Sequence, residues 1–118
     1  ADVFAIILSA PNDQGIGQTV ETVSAATDAM SPMIYPSHYS PGWMGFDNPN
    51  DHPAEVVGDA IESGLPRMQG AFLRPWLQAF FYDAEQIAAE IAQAEESGLG
   101  WMLWNQTSEF QADWFPRD

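Results

Sequence analysis

The residues of this chain best suited to chemistry stand where apolar runs stop. The stretch Ser31-Pro32-Met33-Ile34-Tyr35-Pro36-Ser37-His38-Tyr39-Ser40-Pro41-Gly42-Trp43 begins like a buried strand and ends in a histidine, two tyrosines and a tryptophan. Trp76, Gln78 and Phe80 alternate along a second run, a third ends in Trp104 and Asn105, and Asp2 heads the first. Aromatic faces interspersed with amide and hydroxyl groups suit a sugar ring, whose C–H faces stack while its hydroxyls pair with polar tips. The candidate binding residues are therefore Tyr35, Ser37, His38, Tyr39, Trp76, Gln78, Trp104 and Asn105. Each has a plainer explanation, since tryptophans in strands usually pack a core and a lone histidine is often a satisfied structural group. "YPSHY" is stronger as a group, because four polar-capable side chains at one strand terminus are costly to bury without a shared purpose.

Other chemistries fit less well. His38, Asp47, Asp51 and His52 share a long loop, but their spacing matches no tight ligand pattern, and Asp51 just ahead of Pro53 reads as helix-start chemistry. No metal is expected. "GIG" at Gly15 to Gly17 is too short for a phosphate fingerprint, there is no nucleophile elbow, and no cofactor is expected. Glycoside hydrolysis needs two carboxylates, and Asp2 is the one acid placed at a strand, which makes it the candidate catalytic group.

Four strands must carry these residues. Val3 to Leu8 is short, apolar and β-branched, as in a strand covered on both faces. The loop "SAPNDQGIG" follows, and Ile16, Val20, Val23 and Thr27 then recur at helical spacing over about three turns. A second strand is expected over Ala29 to Tyr35, then a long loop to His52. Pro53 and Glu55 open a helix with Val56, Val57, Ala60 and Ile61 as its stripe, and Gly64 ends it. The third strand spans Phe72 to Phe80. Asp83 and Gln86 form a capping box for a helix whose Ile87, Ala88, Ile91 and Ala94 face the core; Gly98 closes it, and Gly100 to Asn105 is the fourth strand.

Strands alternating with helices, all too apolar to be half-exposed, predict a parallel sheet with right-handed crossovers and ligands beyond the carboxyl ends of the strands. The fold class is α/β, a (βα)4-type half of a TIM barrel with helices on one face, forming a single half-barrel domain over residues 1–118. A flat open sheet is the rival architecture. Three same-side crossovers leave the other face apolar and bare, so a homodimer or a missing N-terminal half-barrel is expected to cover it. "ADVFAIIL" reads as strand from almost the first residue, so the natural chain is expected to extend upstream.

Composition narrows the partners. The chain has 118 residues, 46% hydrophobic and 13% aromatic, which is ample for one core. Against 17 Asp and Glu stand only Arg67, Arg74 and Arg117, for a net charge of −14. Nothing here can neutralise a phosphate backbone or an anionic bilayer, so neither nucleic acid nor membrane is expected as a partner. The acids are scattered along helices and lysine is absent, which favours life in high salt over an acidic surface for a basic partner. There is no cysteine, no apolar run of spanning length and no leader, so a soluble protein is expected, with its compartment open.

Five segments carry a resemblance: "GIGQ" at 15–18, "SPMIYPSHY" at 31–39, "NPNDHPAEVV" at 48–57, "RPWLQAF" at 74–80 and "GWMLWN" at 100–105. In this order they resemble the putative glycoside-hydrolase domain family of bacterial and archaeal proteins. That resemblance implies a (β/α)8 barrel of glycosidase type, with this chain matching its second half from about the fifth strand onward. It also implies that Asp2, in "DVF", faces the site as base or nucleophile, and that the acidic motif of the fourth strand lies outside this chain. The resulting expectation is a half-barrel carrying one side of a carbohydrate site and inactive alone. A self-associating scaffold, or a sugar-binding module without hydrolysis, are the alternatives; glycan binding and turnover assays separate all three.

Overall fold

The computed structural model describes residues 1–117. Its strands are β1 (Asp2–Phe4), β2 (Ala29–Ile34), β3 (Phe72–Leu73), β4 (Trp76–Gln78) and β5 (Met102–Trp104), and its helices are α1 (Ile6–Ser9), α2 (Val20–Ala26), α3 (Pro53–Gly64) and α4 (Ala84–Glu96). Every strand pairing is parallel, in the order β1-β2-β4-β5, with β3 beside the start of β2. Sequential neighbours, all parallel and joined through helices, make half of a (βα) barrel rather than a doubly wound sheet with a reversal in strand order.

One face of the sheet holds the core. Val3, Ile34, Leu77 and Leu103 pack with Val57 and Ile61 of α3 and Ile87 and Ile91 of α4 in a single buried cluster. Side chains alternate across a strand. By register, Phe4 lies beside Met33, Met33 beside Trp76 and Trp76 beside Met102, so these four share the opposite face. Phe4 is 56% exposed on that face, and Met33, Trp76 and Met102 are half-buried.

Four details depart from the sequence-based expectation. The first strand stops at Phe4, and Ile6 to Ser9 form a helical turn with Ile7 and Leu8 buried. A short apolar run has no periodicity to separate strand from buried helix, and here the free carbonyls of Ile7, Leu8 and Ala10 are met by Arg67 Nη1 at 2.9, 3.2 and 2.9 Å. The next helix starts at Val20 instead of Ile16, because Thr19 caps it by accepting from the Thr22 amide, while Gly15 and Gly17 both hold φ of +77° and keep the preceding segment in turns. The third expected strand is split into β3 and β4 at Arg74-Pro75, where proline removes a ladder donor. Finally, Ala88 is exposed on α4 and Glu90 takes a core position.

Candidate functional site

The carboxyl ends of β2, β4 and β5 converge on one aromatic ridge. Pro36 closes β2 and starts a 3-10 turn over Pro36–His38, which turns His38 outward while Tyr35 stays buried. Tyr35 meets His38 edge-on at 5.3 Å, Phe80 at 5.4 Å and Trp104 in a stacked pair at 5.9 Å. Phe80 packs against Trp104 at 5.7 Å, and Trp104 is 40% exposed. Burial, with the Asp2 and Glu90 carboxyls adding to it, raises the Tyr35 phenol to about 12, so it keeps its proton and its capacity to donate.

Two clefts flank this ridge. One, of about 470 Å³, opens beside β1 and β2 and is lined by Phe4, Ile16, Met33, Tyr35, His38, Tyr39 and Trp43. The other, of about 320 Å³, lies beyond β4 and β5. In the first, the Tyr39 hydroxyl and the Trp43 indole N–H are buried without a partner among the described residues, and burial raises the Tyr39 phenol above its ordinary range.

Gln78 and Asn105 hold the frame of the mouth. Gln78 is fully buried; its Oε1 accepts from the Ser37 amide at 3.0 Å, and its Nε2 donates to Asn50 Oδ1 and to the Phe80 carbonyl, both at 3.0 Å. One side chain thus joins β4 to the loops after β2 and ahead of α3. Asn105 Nδ2 donates to the Glu109 carbonyl at 2.6 Å and its Oδ1 accepts from Thr107, closing the turn after β5. Ser37 is partly buried, with its hydroxyl lacking a partner among the described residues.

Asp2 and Trp76 meet on the open face. Trp76 Nε1 donates to Asp2 Oδ1 at 2.8 Å, reaching across β2 to do so. Asp2 pairs with Ser31, one inward-facing position nearer the amino end than the Phe4–Met33–Trp76 layer, so the carboxylate lies below the ridge and not on it. Trp76 therefore spends its polar edge on Asp2, and Trp104 is the tryptophan that reaches the mouth.

Matching against family models decides where this arrangement belongs: residues 1–110 fit the model described as "Putative glycosyl hydrolase domain". The chain belongs to this putative glycosyl hydrolase domain family. No curated protein and no solved structure is similar enough to the chain to match. In this family member, the expected residues from β2, β4 and β5 other than Trp76 gather at one end of the sheet, divided between ridge (Tyr35, His38, Trp104), cleft wall (Tyr39) and frame (Ser37, Gln78, Asn105).

Two residues escaped the sequence reading. Glu90 of α4 is fully buried, its Oε1 accepts from the Gln78 amide at 3.1 Å, and its Oε2 is buried without a partner among the described residues. Desolvation pushes its carboxyl up to about 9, against a smaller downward pull from that hydrogen bond. The signal was present, since Ile87, Glu90, Ile91 and Ala94 share one helical stripe. Phe81, 76% exposed beside the ridge, was hidden in the run "AFFYD", where any of three aromatics could face outward. Among the described residues no helix is long and apolar enough to cross a membrane.

Proposed function

We propose that this chain supplies one side of a carbohydrate site at the carboxyl ends of a half-barrel, with the opposite side supplied by a further four-stranded half. The observation that carries this reading is the ridge of Tyr35, His38, Phe80 and Trp104, partly exposed at the strand ends where parallel α/β folds hold their ligands. Trp104 offers a face for stacking, and His38 and Tyr35 offer polar edges for ring hydroxyls. The buried network through Gln78 fixes the loops that present them, so little ordering is left for binding to supply.

In a complete barrel the expected reaction is hydrolysis of a glycosidic bond by two carboxylates. Asp2 is one candidate, as base or nucleophile, and the second belongs to the completing half. Binding without hydrolysis is the second reading, favoured by the hydrogen bond that already ties Asp2 Oδ1 to Trp76. Calorimetric titration of the chain with neutral oligosaccharides, beside an assay for new reducing ends, tests both. Saturable binding supports the carbohydrate site and turnover adds the enzyme; neither one leaves only a scaffold.

A further inference from the structure

The cleft beyond β4 and β5 is built around a residue in an unusual state. Phe81 holds a φ of +62°, a left-handed backbone that is strained for a bulky L-residue. Its ring is 76% exposed, and its closest aromatic neighbour, Phe80 at 5.2 Å and 79°, meets it edge-to-face. The backbone is strained and the apolar ring remains in water, so folding rewards neither feature. Strain of this kind persists in native structures mainly at functional sites.

The surroundings specify what would lie on that ring. The cleft holds about 320 Å³ and is lined by Phe80 and Phe81 together with Tyr82, Asn105, Thr107 and Gln111; the Tyr82 hydroxyl and the Asn105 amide are already given to the Asn50 and Glu109 carbonyls, while the Gln111 side chain makes no hydrogen bond among the described residues and the Thr107 hydroxyl can still accept. That volume is at the small end for a ligand site, and the mixture of aromatic face and neutral amide and hydroxyl groups is one that a pyranose ring can use. Among the described residues no arginine lines the cleft, whereas Glu109 does, in a chain of net charge −14. Arg67 is committed to Glu21 and the end of α1, and Arg74 lies over the Phe72 ring. An anionic ring such as a uronate would be repelled here.

We propose that this cleft is a second sugar subsite with Phe81 as its stacking platform, and that the ligand is a neutral oligosaccharide crossing the ridge between the two clefts. The proposal rests on the carbohydrate reading above and extends it, fixing both the charge of the sugar and the need for more than one ring. All the lining residues belong to this chain, so the subsite is testable without a completing half.

The test compares wild type with Phe81→Gly and Phe81→Trp by calorimetric titration against neutral hexasaccharides (β-1,4-glucan, α-1,4-glucan, β-1,4-mannan and β-1,4-xylan), the matching disaccharides, and a hexauronate. Phe81→Gly removes the ring and also the backbone strain, so it is expected to unfold at the same or a higher temperature while losing roughly three- to tenfold in affinity for the best hexasaccharide. Disaccharide affinity is expected to stay unchanged, Phe81→Trp to recover the hexasaccharide affinity, and the hexauronate not to bind. Equal hexasaccharide binding by wild type and Phe81→Gly would overturn the subsite while leaving the carbohydrate reading intact. Hexauronate binding at least as tight as the neutral sugars would overturn the choice of a neutral ligand. If wild type bound none of the saccharides, both readings would fall together.

Discussion

Burying Glu90 couples one carboxyl to the folding equilibrium. In the folded chain it holds its proton up to about pH 9, against an ordinary value of 4.5. Between those limits the folded state binds a proton that the unfolded state has released, so stability falls as pH rises through the window and levels off above it. Glu90→Gln keeps an acceptor for the Gln78 amide and cannot ionise. Urea unfolding of both proteins across pH 5 to 9 is expected to give a downward slope for wild type that flattens in the variant, and parallel curves would show that Glu90 does not titrate there. The consequence reaches the mouth, because the Gln78 side chain also holds Ser37 and Asn50.

Helices α1 and α3 meet so closely that a glycine is required. A Cβ on Gly64 would run into the Leu8 side chain, meeting its Cβ and Cγ at 3.1 Å, and Leu8 is itself buried. Gly64→Ala is therefore expected to destabilise by about 1–3 kcal/mol through overpacking. On the same helix, a Cβ on Gly58 would meet chiefly the flexible end of Gln93 at 2.6 Å, so Gly58→Ala is expected to be neutral or stabilising by up to about 1 kcal/mol. Equal effects in urea titrations of the two variants would contradict this packing.

At this scale the sequence was most legible where local chemistry marks a boundary. The Asp83–Gln86 capping box and the Pro53 start of α3 stand as expected. It was least legible where a contact distant in sequence decides the outcome. The turn at Ile6–Ser9 depends on Arg67 meeting its carbonyls, and the burial of Gln78 depends on loops that begin at Ser37 and Asn50. Strand alternation put Gln78 on the site face, and no local pattern could show that its amide would be fully engaged.

The whole molecule leaves one sheet face partly exposed and carries a net charge of −14. We propose that a second copy covers the face, since Phe4, Met33, Trp76 and Met102 form an apolar layer there and a barrel interior is an obvious use for it. Light scattering at micromolar concentration is expected to give twice the 13.0 kDa chain mass, and a stable monomer would contradict this. Glu90 is the one acid classed as buried among the described residues, and Arg67–Glu21 is the one ion pair found there. We propose that solvent ions relieve the repulsion among the remaining carboxylates, so the melting temperature is expected to rise steadily from low to molar KCl. A melting temperature indifferent to KCl would instead favour a basic protein partner.

The central claim is that the ridge at the strand ends binds sugar, and His38 tests it most directly. It is the exposed edge of the ridge, its side chain makes no hydrogen bond among the described residues, and its ring packs against Tyr35 and Phe80. His38→Ala should then leave the melting temperature within about a degree or two of wild type, as for other exposed positions, and should weaken binding of a neutral oligosaccharide several-fold. A marked fall in melting temperature with unchanged sugar affinity would make His38 a structural residue and contradict the account.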